Sequence, residues 1–147
     1  MALRTDVDAL AVLPEITCLE SIYPGFRQWY LQRVVPGLAD GSRLIVADVL
    51  DGGLAGIAIA KRTCGERKLC TLWRNPRLGR DATVAELLTG TTSWLGPRRP
   101  TFTVPVDRIH RLRPVLNEMQ AGSGVPLGTL YRPEVNEMLF NSSGMPE

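Results

Sequence analysis

The segment at residues 75–82 combines positive charge with a predicted helix start, an arrangement suited to binding an anion. Arg74, Arg77 and Arg80 surround Gly79, and a helical pattern follows directly. The unpaired N–H groups at a helix N-terminus attract anions, phosphates in particular. The functional interpretation of this segment is therefore a site for a diphosphate group. A solvated basic loop is the alternative, which the spacing alone slightly favours.

Side chains suited to acid–base chemistry are few and scattered. Glu66 lies in a predicted turn, where a solvated acid is the alternative interpretation, and Tyr131 lies on a late strand, where it equally fits the core with its hydroxyl in water. Glu137 on the last strand faces either a substrate groove or, as an edge-strand acid, solvent. His110, the only histidine, lies between two arginines and is typical of a surface residue.

Composition restricts the class of protein. The 147 residues fit one domain, and a hydrophobic content of 44% excludes a disordered chain. We expect a single domain over residues 1–147 with a loose tail at 141–147. No apolar stretch is long enough to cross a membrane. The three cysteines form no CxxC pair, so no metal site is predicted. Free thiols and the lack of an export signal favour the cytoplasm.

The net charge of +2 is too mild to indicate a nucleic-acid partner. A group of arginines in the second half is the feature that would support RNA binding, although a solvated face explains it as well. The group consists of Arg98, Arg99, Arg108, Arg111 and Arg113.

The first half of the chain reads as helices followed by strands. Residues 4–8 alternate weakly and predict a short strand, and residues 9–22 predict a helix interrupted by Pro14. An apolar stripe from Phe26 to Val34 predicts a second helix, ended by Pro36-Gly37. Three strands then form an antiparallel meander, at 43–50, 54–62 and 67–73, with a glycine turn between the first two. In the third strand Leu69, Thr71 and Trp73 are predicted to share one face.

In the second half of the chain, predicted helices alternate with predicted strands. A helix is predicted over residues 82–95 with Asp81 as its N-cap, and a strand over 101–104. A helix over 107–120 follows, capped by Asp107 and kinked at Pro114, and then strands at 127–131 and 135–140. This order predicts an α+β fold with a mixed, mostly antiparallel sheet flanked by helices.

The central motif resembles the acyl-CoA-binding core of the GNAT superfamily of N-acyltransferases. The strand at 68–73, the Asn75-Pro76 pair, the Gly/Arg loop and the helix start at 84–88 carry the resemblance, which extends over residues 4–141. The hairpin before this motif and the strand, helix and hairpin after it match as well. The loop departs from the family pattern, because Gly79, Ala82 and Val84 stand where Arg/Gln, Gly and Gly/Ala are usual.

The resemblance implies transfer of an acetyl or short acyl group from acetyl-CoA, or another acyl-CoA, to an amine of unknown identity. It implies that the strand at 67–73 separates from a parallel neighbour near Trp73 and that the cofactor lies along this strand and the following loop. Glu66 is the expected base, since Lys68 occupies the usual base position, and Tyr131 is the expected acid. The cofactor-binding residues implied are Leu72, Trp73, Arg74, Arg77, Gly79, Arg80, Asp81, Ala82 and Thr83.

The altered loop supports an alternative, in which a catalytically degenerate GNAT-like domain binds acyl-CoA or a protein partner without catalysis. The late hairpin is able to support a homodimer in either case. We expect no metal, membrane or nucleic-acid partner.

Overall fold

A computed structural model describes residues 2–97, 99–119, 121–122 and 124–141, and it contains two β-sheets. The first has four antiparallel strands in the order β1-β2-β3-β4, and the second has three in the order β5-β7-β6. The predicted α+β architecture, mostly antiparallel and flanked by helices, is confirmed. The strands are β1 Ala2–Arg4, β2 Arg43–Leu50, β3 Gly53–Arg62, β4 Arg67–Arg74, β5 Phe102–Pro105, β6 Val125–Arg132 and β7 Val135–Phe140.

The two sheets meet at one parallel bridge, between Lys68 of β4 and Thr101 just before β5. There the Leu69 N–H donates to the Thr101 carbonyl and the Thr101 N–H donates to the Arg67 carbonyl, both at 3.0 Å. Beyond the bridge β4 is an edge strand. The predicted separation of the parallel neighbours is therefore present, and it begins earlier in β4 than the expected position near Trp73.

A β-bulge interrupts β4. Ala60 of β3 lies opposite Leu69 and Ile59 lies opposite Thr71, so Cys70 is the extra residue. A bulge shifts the alternation of side chains by one position. Leu69 thus packs in the core beneath the long helix, whereas Trp73 packs in the core on the opposite face. The prediction that these two residues share a face was wrong for this reason.

The N-terminal helices differ from the pattern in their boundaries. The first strand is β1 at Ala2–Arg4 rather than 4–8, because Asp8 caps α1 (Ala9–Ile16) by accepting from the Leu10 N–H at 3.0 Å. The helix expected over 9–22 with an interruption at Pro14 was also wrong, because Pro14 lies inside α1. It changes at Thr17 into a 3-10 helix, Thr17–Ser21.

Pro36 does not end the next helix, contrary to the sequence prediction. The helix runs as α2 (Phe26–Trp29), a π-helical turn (Tyr30–Val34) and α3 (Val35–Asp40). The Val35 N–H donates to the Tyr30 carbonyl, five residues back. This wider turn accommodates a proline, which has no N–H to donate and crowds a regular α-helix.

The later helices begin one or two residues away from their predicted caps. The helix α4 (Asp81–Leu95) packs on β2, β3 and β4, and its N-cap is Arg80, so Asp81 is already helical. The short 3-10 helix Val106–Arg108 precedes α5 (Ile109–Glu118), so Asp107 does not cap α5.

The predicted loose tail falls outside the described residues except for Asn141, whose side chain donates to the Pro100 carbonyl at 3.0 Å. Arg98 of the arginine group also falls outside them. In the part of the chain that the structure describes, no helix is long and apolar enough to cross a membrane.

Candidate functional site

A cavity of about 620 Å³ opens where the two sheets separate. Cys70 and Thr71 of β4 line it from one sheet, and Thr103 of β5 lines it from the other. All three residues lie shortly after the Lys68–Thr101 bridge in their strands. Aromatic side chains from the segment 23–29 and from β6 also line the cavity. These are Tyr23, Phe26, Trp29 and Tyr131.

The two residues predicted to act as base and acid both line this cavity. Glu66 forms an ion pair with Lys61 at 2.8 Å, and this contact holds the pKa of Glu66 below its usual range. Tyr131 is 37% exposed and packs edge-to-face on Tyr23, with ring centroids 5.1 Å apart. Burial, followed by the nearby Glu137 carboxylate, raises the pKa of Tyr23 to about 12.

Glu137 is the most unusual carboxylate near the cavity. Its side chain is 0% exposed, and neither carboxylate oxygen has a hydrogen-bond partner at acceptable distance and angle among the described residues. Burial raises the pKa of Glu137, Asp107 adds to the rise, and Arg132 and the Thr103 hydroxyl oppose it. Because Thr103 lines the cavity, Glu137 lies one layer behind the cavity wall.

The sequence pattern left two interpretations of Glu137 open and did not indicate that it is buried. It was interpreted either as a groove residue or as an edge-strand acid, but β7 is the central strand of the second sheet, so the edge interpretation was wrong. Its register opposite Pro105 and Gly128 turns the side chain away from the core that contains Met138. The pattern of the last strand, which is mixed in polarity, does not reveal this register.

Arg43 lines the cavity and forms no ion pair with a carboxylate in the described part of the chain. Its guanidinium lies over the Trp29 ring, 5.5 Å from the centroid, and donates to the Cys70 sulfur at 3.2 Å. Its stem packs against Gly37 of α3, where a Cβ would overlap with Arg43 Cγ. Glycine inside a helix costs about 1 kcal/mol relative to alanine. Here it makes room for the arginine.

The other charges around the cavity are uneven. Lys61 is neutralised by its ion pair with Glu66, and Asp40 accepts from the Ser42 N–H at 2.9 Å. Arg33 and Lys68, like Arg43, have no carboxylate within ion-pairing distance in the described chain. The cavity lining therefore carries an excess of positive charge, and its residue Thr103 lies next to the buried Glu137 carboxylate.

The loop that follows β4 is organised by Asn75. The Asn75 side chain donates to the Leu54 carbonyl at 2.9 Å and accepts from the Arg77 and Leu78 N–H groups at 2.8 and 3.3 Å. The Gly79 N–H donates to the Asn75 carbonyl at 2.8 Å. A Cβ at Gly79 would lie 2.6 Å from that same oxygen, so the turn requires glycine.

The first turn of α4 is tied to a buried carboxylate. The Arg80 N–H donates to the Thr83 hydroxyl at 3.0 Å, and this hydroxyl donates to Asp48 of β2 at 2.8 Å. The Arg80 guanidinium lies 3.3 Å from Glu86 and 3.6 Å from Asp48. These contacts anchor the helix start to the first sheet.

The predicted cofactor residues thus lie together, but much of their bonding capacity is used locally. The backbone amides of 77–80 and 83 all donate to acceptors inside the loop. Asp81 and Ala82 are exposed, and Asp81 lies 3.4 Å from Arg74. Leu72 and Trp73 pack in the two opposite cores. None of these residues lines the cavity.

The architecture has close counterparts among solved structures. A protein assigned to the GNAT acetyltransferases from Desulfovibrio desulfuricans superimposes with a TM-score of 0.73 at 19% identity, covering 95% of this chain and 96% of that one. The chain has the GNAT fold. A GNAT-family acetyltransferase from Streptococcus pneumoniae gives 0.64 at 12% identity, with 95% and 96% covered. No protein-family model and no curated protein matches the sequence.

A third structure with the GNAT fold was solved with a ligand. The PaiA N-acetyltransferase from Thermoplasma acidophilum, in complex with coenzyme A, gives a TM-score of 0.61 at 14% identity, with 95% of this chain and 98% of that one covered. Since the matches cover nearly the whole chain, both sheets and the gap between them belong to the shared fold.

Proposed function

We propose that the protein transfers an acetyl or short acyl group from an acyl-CoA to a primary amine. The observation that carries this proposal is the cavity at the point where β4 and β5 separate, lined by residues of both strands. Beyond the bridge β4 has a free edge, and the amides of a pantetheine chain are able to pair with it as an added strand would.

The reaction is a direct displacement. The amine nitrogen attacks the thioester carbonyl carbon, the C–N bond forms and the C–S bond breaks. The products are an amide and free CoA thiol, so the amine loses a proton and the departing thiolate gains one. A base and an acid are therefore needed at the cavity.

We assign the base to Glu137. The raised pKa of Glu137 makes its ionised carboxylate more basic than that of Glu66, whose pKa the Lys61 ion pair keeps low. Thr103 lines the cavity and lies next to Glu137, so its hydroxyl is the group we propose to relay the proton from the amine to the buried carboxylate. Glu66 remains a proposed base of lower basicity, and Tyr131 remains the proposed acid for the thiolate, as its hydroxyl-bearing ring lines the same cavity.

The CoA diphosphate fits the exposed first turn of α4, where the Asp81 and Ala82 amides and the Arg77 side chain are accessible. Trp73 and Arg74 would flank the pantetheine. The hydrogen bonds within the loop leave fewer backbone N–H groups free to bind a diphosphate.

The loop after β4 supports a second candidate function, an acyl-CoA-binding or protein-binding GNAT-fold module without catalysis. The Asp81 carboxylate at the helix start repels a phosphate, and most loop amides already have acceptors.

Calorimetry with acetyl-CoA, followed by chromatographic quantification of CoA released over a panel of amines, separates the two functions. Chromatography is preferable to thiol reagents because the protein has exposed thiols of its own at Cys18 and Cys64. We expect binding and amine-dependent CoA release. Binding without release for any amine would favour the module, and no binding at high micromolar acetyl-CoA would exclude the transferase.

The two carboxylates are separated by matched variants. We expect Glu137→Gln to lower kcat/KM by about 100-fold, as is typical for loss of a general base, and Glu66→Gln to lower it by less than about fivefold. The reverse ranking would return the role of base to Glu66.

A further inference from the structure

We propose that the acceptor is an amine that also carries a carboxylate, as an α-amino acid with an apolar side chain does. This inference rests on the proposed function and specifies the substrate class of the same cavity. It requires three features in the cavity: a cation for the carboxylate, an apolar wall for the side chain, and a proton acceptor for the amine.

The cation is Arg43. Its neighbours are an aromatic ring and a neutral thiol, which fix the guanidinium without neutralising it. The planar fork of arginine recognises a carboxylate through two parallel hydrogen bonds. The α3 helix keeps a glycine at position 37 where the arginine stem packs, so the side chain is held in one place before any ligand arrives.

Lys68 and Arg33 also line the cavity and add charge of the same sign. Lys61 does not, since Glu66 is paired with it. The lining holds these three cations against one further carboxylate, Asp40, so a neutral amine would leave an excess of positive charge that a carboxylate would offset.

A second part of the cavity lining suits the amine. Thr103 lies at the gap through which the acyl group would arrive, and the buried Glu137 lies behind it. Trp29 and Tyr131 add apolar surface to the same lining. The lining thus offers groups for a molecule that carries an anion, an amine and an apolar side chain.

The test compares L-phenylalanine, L-leucine and L-methionine, each with its own α-amide, as acceptors with acetyl-CoA. In each pair only the carboxylate differs. We expect kcat/KM to be at least about tenfold higher for the acid in one pair or more. Arg43→Met should remove this preference by lowering kcat/KM for the acid about tenfold or more while changing that for the amide less than about twofold. Arg43→Lys should be intermediate, and the exposed control Arg113→Met should change neither.

Equal use of acid and amide in all three pairs, or an equal loss for both in Arg43→Met, would overturn the inference and leave the proposed transfer intact. If no amine is acetylated, the proposed function fails and binding decides the inference alone. Trp29 lies beneath Arg43, so its fluorescence should change on titration with the amino acids. This change should be absent in Trp29→Phe and Arg43→Met and present in Trp94→Phe. No change in the wild type would overturn the inference.

Discussion

Glu137 shows how a single carboxylate can be costly to the fold and useful to the site. It is fully buried without a hydrogen-bond partner in the described chain, and its pKa is raised by burial. A carboxyl group with a raised pKa holds its proton more tightly in the folded state than in the unfolded state. Its contribution to stability is therefore complete below the unfolded pKa and is lost as pH rises through the folded pKa.

We therefore expect Glu137→Gln to be more stable than the wild type by about 1 kcal/mol at pH 8, because the amide does not ionise. The difference should shrink below about pH 4.5, where the carboxyl group is protonated in both states. Urea unfolding at pH 8 and pH 4 measures it. A variant less stable than the wild type at pH 8 would show that the carboxylate is satisfied in solution. Glu66→Gln, which removes a surface ion pair, should cost about 0.5 kcal/mol or less.

The three thiols provide a second prediction at this scale. Cys18 and Cys64 are exposed, whereas the Cys70 sulfur is covered by Arg43, and burial raises the pKa of the Cys70 thiol. A thiol reagent at pH 8 should label two cysteines quickly and the third at least about tenfold more slowly. The slow phase should vanish in Cys70→Ser. Three equal rates would contradict the packing of the cavity wall.

At the scale of elements, the sequence predicted which segments are helices and strands better than how they begin, end and twist. Alternating and helical patterns record which side chains are buried, and these located β2, β3, β4 and α4 well. The bulge at Cys70 and the π-helical turn before Pro36 were missed. The bulge depends on how β4 pairs with β3, and the π-helical turn depends on a hydrogen bond that reaches five residues back instead of four. The bulge matters most, because it determines which side chains of β4 face the cavity.

The contribution of the loop after β4 to stability can be tested at Asn75. Asn75→Ala removes three hydrogen bonds, one to the Leu54 carbonyl and two from the Arg77 and Leu78 amides. We expect a loss of about 2–3 kcal/mol in unfolding free energy, measured by urea titration. Asn75→Asp keeps the acceptor oxygen and loses the donor, so its loss should be about 1 kcal/mol. Equal losses for the two variants would mean that the Asx turn contributes little.

At the scale of the whole molecule, the site joins segments far apart in sequence. Arg43, Cys70 and Thr103 meet around one cavity because β4 and β5 touch at a single bridge and then separate. The loop at 75–82 is recognisable in the sequence because its residues are contiguous. Its resemblance to the GNAT superfamily then predicted the fold correctly. Only the three-dimensional arrangement identified Arg43 and showed that Glu137, a candidate from the sequence, is buried, because the partners that define their chemistry are remote in the chain.

A ligand that bridges the gap should stabilise both sheets together. Acetyl-CoA at about 100 times its Kd stabilises the folded state by about 2.7 kcal/mol. Hydrogen exchange with and without acetyl-CoA should show added protection in β4 beyond the bridge, in β5 and in the first turn of α4. The amides of α5 provide the internal control. Glu137→Gln should show the same protection, because the proposed base does not contact the cofactor. Protection confined to α4, with β5 unchanged, would mean that the cofactor does not occupy the space between the sheets.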